Sequence, residues 1–166
     1  MKTIAFFGHR HILDNRIIQE KLIKTLKEVT PQGFSRFLIG SHGDFDKLVL
    51  STCLNYKNTI DNRVKINVVL TNLSFLNKDE YGFSKADIYN NKNCETMFYD
   101  IEETHFKNRI TVSNKKMVDE SDLIICYVDM KAYRSGAKTA VYYALKQNKK
   151  VVNLFTLKNT NLPKNK

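Results

Sequence analysis

Short apolar runs and helical stripes alternate along this chain. Thr3-Ile4-Ala5-Phe6-Phe7 is an apolar run that stops at Gly8, the pattern of a strand buried on both faces. Ile17, Ile18, Leu22, Ile23 and Leu26 then recur at helical spacing, with Asp14 or Asn15 placed to cap that helix. Pro31-Gln32-Gly33 marks a turn. Phe34 to Ile39 is the next strand, Asp46 to Asn55 a helix packing through Leu48, Val49 and Cys53, and Val64 to Leu70 a third strand. Asn114 to Glu120 is helical and Leu123 to Val128 a fourth strand. Gly136 to Lys146 is a helix with Ala137, Ala140, Val141, Ala144 and Leu145 as its packing set, and Val151 to Phe155 a last strand.

Strands alternating with amphipathic helices predict an α/β fold: a single Rossmann-like domain over residues 1–157, its mostly parallel sheet covered by helices on both faces. Residues 71–108 break the pattern. They are polar and aromatic with little periodicity, and read as a long irregular insert near the site. Residues 158–166, rich in Asn and Lys, read as a flexible basic tail.

Composition agrees with a globular chain. A hydrophobic fraction of 42% over 166 residues is enough for a core without covalent staples. No apolar run is long enough to span a bilayer, so no membrane partner is expected. The apolar start is too short for a signal peptide and stops at Gly8-His9-Arg10, which points to a cytoplasmic protein. Cys53, Cys94 and Cys126 are odd in number and widely spaced. That spacing implies neither a disulfide framework nor a metal site. The net charge of +10 favours anionic partners, although solvated helix faces carry most of the excess.

In parallel sheets the ligand lies outside the carboxyl ends of the strands, near a reversal of strand order. Three junctions qualify. At the first, Gly8 lets a ligand approach the backbone, and His9 and Arg10 project at the rim, where Arg can grip phosphate through two parallel bonds. At the second, Gly40-Ser41-His42-Gly43 bends into a helix whose first N–H groups suit an anion; Asp46 either favours the helix dipole or takes ribose hydroxyls, and His42 reads as a polar loop residue. At the third, Ser135-Gly136-Ala137-Lys138-Thr139 opens a helix of small residues with hydroxyl donors. Arg109 is a further cation that could reach the same pocket. Neither a GxGxxG fingerprint nor a P-loop is present, and no cofactor is called for. Asp87, Tyr89, Glu95, Glu102 and Glu103 of the insert are the groups available to it for acid–base work or base stacking.

Four stretches in this order resemble the SLOG superfamily, and within it the small YpsA-type bacterial and phage proteins. They are Phe6 to Arg10, Ile39 to Asp46, Arg109 to Asp122, and Ser135 to Ala144. The superfamily also includes Smf-type DNA-processing proteins and the Lonely-guy phosphoribohydrolases. The resemblance implies a nucleotide-derived ligand on the Gly8, Gly40 and Gly136 loops, a homo-oligomer, and a sensor or sequestering role in conflicts between bacteria and phages. It departs in one place. The hydrolase branch has Pro-Gly-Gly-x-Gly-Thr-x-x-Glu, and with its Thr on Thr139 the glutamate position is Tyr142. A phenol does not replace a carboxylate beside an oxocarbenium-like centre, so catalysis by that route is disfavoured. The expected function is therefore binding of a phosphate-bearing nucleotide derivative. Nucleotide N-glycosidase chemistry is the alternative, and nucleic-acid binding ranks third.

Overall fold

The computed structural model describes residues 1–156. The expected tail, and the boundary at residue 157, lie outside the described residues. The described residues form six strands and four α-helices: β1 (Lys2–Gly8), α1 (Asn15–Val29), β2 (Phe34–Ile39), α2 (Asp44–Thr59), β3 (Lys65–Val69), β4 (Cys94–Met97), α3 (Arg109–Glu120), β5 (Leu123–Tyr127), α4 (Gly136–Lys146) and β6 (Lys150–Asn153). These strands pair in parallel throughout, in the order β4-β3-β2-β1-β5-β6. The Rossmann-like α/β reading therefore holds.

Alternation along the strands sorts the core into two layers, because successive side chains leave a strand on opposite faces. Ile4 and Phe6 of β1, Phe37 and Ile39 of β2, and Leu123 and Ile125 of β5 face Ile18, Leu22 and Leu26 of α1 and Val49 and Cys53 of α2. Ala5, Phe7, Leu38, Ile124 and Cys126 face Met117 and Val118 of α3 and Ala140, Val141 and Ala144 of α4. Each large apolar side chain so buried contributes roughly 1.5–3 kcal/mol.

Three expectations need correction. Residues 71–108 are not wholly irregular, since Cys94–Met97 adds a sixth strand beside β3. The stretch has no apolar run because it is a four-residue edge strand with one neighbour. The third helix begins at Arg109 and not at Asn114. Asp14 stands at the N-cap of α1 but in the left-handed conformation, φ 54°, with no capping side-chain bond.

Strand order reverses at β1. From there β2, β3 and β4 run one way, and β5 and β6 the other. The carboxyl ends of β1 and β5 thus flank the crevice where parallel sheets hold ligands.

Candidate functional site

A cleft of about 300 Å³ opens at that crevice. Gly8, the last residue of β1, pairs with Tyr127 of β5. A Cβ on Gly8 would collide with the ring of Phe45, which is fully buried and stacks on Tyr127 at 6.2 Å. The glycine is thus required by packing beneath the cleft. Beyond it, the His9 amide donates to the Tyr127 carbonyl, and the Asp129 amide donates to His9 Nε2 at 2.9 Å. The second bond ties the loops after β1 and β5 together.

The loop after β2 is held as firmly. The Ser41 hydroxyl donates to the Val69 carbonyl, anchoring the loop to β3. Asp44 N–H donates to the Arg10 carbonyl at 2.8 Å, and a Cβ on Gly43 would approach Arg10 Cα to 2.7 Å. Close approach of two backbones, and not an unusual φ, explains that glycine; its φ is −164°. The Arg10 side chain is exposed at the rim, and among the described residues it forms no ion pair.

Asp46 lines the cleft from the first turn of α2. Its carboxylate accepts the His42 amide at 2.8 Å, closing the loop and not capping the helix. Burial pushes its pKa up to about 6, against a smaller downward pull from that amide. His42 also lines the cleft, and its Nε2 is 2.6 Å from the Thr71 hydroxyl. Burial, and then the Arg10 guanidinium, hold its pKa below the usual value. The imidazole is therefore neutral near pH 7. Near pH 7 the Asp46 carboxyl is largely ionised and the imidazole neutral, so the Arg10 guanidinium at the rim is the group able to meet an anion, and protonation of Asp46 below about pH 6 favours it further.

On the opposite wall Ser135 caps α4, accepting the Lys138 amide at 3.1 Å, and Gly136 and Ala137 form the first turn. A Cβ on Gly136 would meet nothing within 4 Å, so this glycine faces open space.

Of the residues singled out from the sequence, Gly8, His9, Arg10, Gly40, Gly43, Asp46, Ser135, Gly136 and Ala137 line this one cleft. Ser41 supports it from β3. The rest lie elsewhere. Arg109 Nε donates to the Thr104 carbonyl and does not line the cleft. Lys138 and Thr139 line a separate groove on the outer side of α4, with Tyr142. Asp87, Glu95, Glu102 and Glu103 are absent from the cleft lining; Asp87 is spent in a capping box with Ser84. Sequence reasoning missed the lining role of His42 and the roof made by Ile110, Asn114 and Met117 of α3. The i, i+4, i+7 spacing of those three marks a common helix face, but not what the face covers.

Among the described residues no group of three or more His, Cys, Asp or Glu side chains is placed to hold a metal ion, and no helix is long and apolar enough to cross a membrane. No family model matches this sequence, and neither does any curated protein.

Proposed function

We propose that the cleft binds the phosphate-bearing part of a nucleotide-derived small molecule, and that the protein acts as a sensor or sequestering partner for it. One observation carries the reading. At the strand-order reversal, glycine loops and the capped start of α4 enclose a cleft whose rim carries the unpaired Arg10. Helix starts favour anions through their free N–H groups and dipole, and Arg adds a planar fork of donors. The kinship to SLOG proteins, a homo-oligomer, a cytoplasmic setting and a role in bacteria–phage conflict belong to the same proposal; light scattering tests the oligomer.

The test is a thermal-shift and calorimetric screen of nucleoside mono- and diphosphates and ADP-ribose against the wild type and Arg10→Ala. A ligand at about one hundred times its Kd stabilises the fold by about 2.7 kcal/mol. Stabilisation by one phosphate ligand, weakened about ten-fold in Kd or more by Arg10→Ala, supports the reading. No response to any ligand overturns it.

A second reading, N-glycosidic hydrolysis, is favoured by Asp46 alone. Among the described residues it is the one carboxyl lining the cleft, and a pKa of about 6 suits a general acid. Release of free base from nucleoside monophosphates, abolished by Asp46→Asn, would establish it; an unchanged substrate pool rejects it for those substrates.

A further inference from the structure

A second concavity, about 510 Å³, lies on the outer face of the α3–α4 pair and is lined by Lys115, Arg134, Lys138, Thr139, Tyr142, Tyr143 and Lys146. Among the described residues four cations line it and no carboxylate does. Asp119, on the same helix as Lys115, accepts from the Tyr143 hydroxyl at 2.8 Å. Among the described residues none of the four cations forms an ion pair. A solvated helix face ordinarily mixes both signs. This groove does not.

Cations and aromatic rings are paired within it. Lys115 Nζ lies 5.6 Å from the centre of the Tyr143 ring, and Lys138 Nζ lies 5.9 Å from that of Tyr142. The Lys138 ammonium is fixed by its bond to the Ala132 carbonyl at 2.7 Å. Tyr142 is 50% exposed, and Tyr133, next to Arg134 in the chain, is 94% exposed. Ring and ammonium side by side match the repeat of a polynucleotide strand, where each phosphate alternates with a base that can stack.

We propose that this groove binds single-stranded nucleic acid, its lysines and Arg134 following the phosphates while Tyr142 and Tyr133 stack on unpaired bases. Duplexes keep their bases stacked internally and leave the tyrosines without a role. An acidic polypeptide would use the cations but not the rings. A second copy of the same face would set lysine against lysine. The groove is separate from the strand-end cleft, and the proposal does not rest on the nucleotide reading.

The test is fluorescence anisotropy with a labelled oligothymidine and oligouridine of about 20 nucleotides, a span able to cover a single-strand site. A duplex and poly-glutamate serve as competitors. At about 50 mM salt the single strands bind, and log K falls with log salt with a slope near −2.8 if all four cations are neutralised, at about −0.7 each. Lys115→Glu with Lys146→Glu weakens binding by about ten-fold or more, and Tyr142→Ala by about five-fold or more. Arg10→Ala leaves it unchanged, whatever it does to nucleotide binding. The altered side chains are exposed, so circular dichroism and melting midpoints should match the wild type. No binding at low salt overturns the proposal. So does unchanged binding by the groove variants, or displacement by duplex or poly-glutamate as effective as by single strand.

Discussion

The strand-end cleft and the outer groove share the first turn of α4 and are built on different principles. The cleft is made by close approach. Gly8 lies against Phe45, Gly43 against Arg10, and Gly40 against the Asp46 carboxylate, where a Cβ would meet an oxygen at 2.8 Å. Its polar groups are bonded to neighbouring loops, and one guanidinium is left unpaired. The groove is made by charge on exposed and half-buried side chains. Substitution in the cleft should therefore strike the fold first and binding second, whereas substitution in the groove should strike binding alone.

The sharpest way to break that distinction is Gly8→Ala. The new methyl would occupy the position of the Phe45 ring, which is fully buried and pinned against Tyr127. Overpacking of this kind costs on the order of 3 kcal/mol. The melting midpoint should fall by roughly 6–12 °C, at about 2–4 °C per kcal/mol for a chain of this size. Lys146→Glu in the groove should leave stability within about 0.5 kcal/mol of the wild type. Shrinking the ring tests the cause: Phe45→Leu should cost less in the Gly8→Ala background than alone, a coupling expected only between touching groups. An additive result would place the Gly8 constraint elsewhere.

How much of this was legible follows the same division. The runs at Thr3–Phe7, Phe34–Ile39 and Leu123–Val128 declare buried strands because both their faces are covered, and the glycines after β1 and β2 declare close approach. Cys94–Met97 is hidden because an edge strand takes its conformation from β3 and not from a pattern of its own. The roof of the cleft is hidden because α3 reaches it only through the crossing from β4 to β5, which depends on strand order. The sequence groups Lys138 with Gly136 because the two are neighbours in the chain. In a helix, residues two apart point in different directions, and here one serves the cleft and the other the groove.

Next in size is the proton on Asp46. In the unfolded chain this carboxyl ionises near 3.9, and in the fold at about 6. Between those values the folded chain holds a proton that the unfolded chain has released, so this group's contribution to stability falls as pH rises from about 4 to about 6. His42 acts in the opposite sense below its usual pKa, because the fold disfavours its charged form. The difference between wild type and Asp46→Asn isolates the carboxyl, since Asn keeps an oxygen for the His42 amide. The variant should gain on the order of 2 kcal/mol at pH 7.5 relative to pH 4.5, measured by urea unfolding. Affinity of the cleft for phosphate ligands should fall over the same rise in pH in the wild type and not in the variant. Binding in the groove should not follow Asp46 at all. A flat difference curve would mean that the carboxyl is better solvated than its surroundings imply.

The smallest effect belongs to the residue between the two sites. Ser135 caps α4 through the Lys138 amide, and the Thr139 hydroxyl bonds back to the Ser135 carbonyl at 3.0 Å. Ser135→Ala removes the cap, at about 1 kcal/mol. The melting midpoint should drop by about 2–4 °C. Both sites should weaken slightly, since the turn that carries Gly136 and Ala137 into one carries Lys138 and Thr139 into the other. Ser135→Asp separates stability from binding. An aspartate caps as well as serine and suits the helix dipole, so the midpoint should recover. The cleft should not recover, because the new carboxylate stands at its wall and repels a phosphate. If phosphate binding returned together with stability, the start of α4 would serve the cleft as shape and not as an anion site.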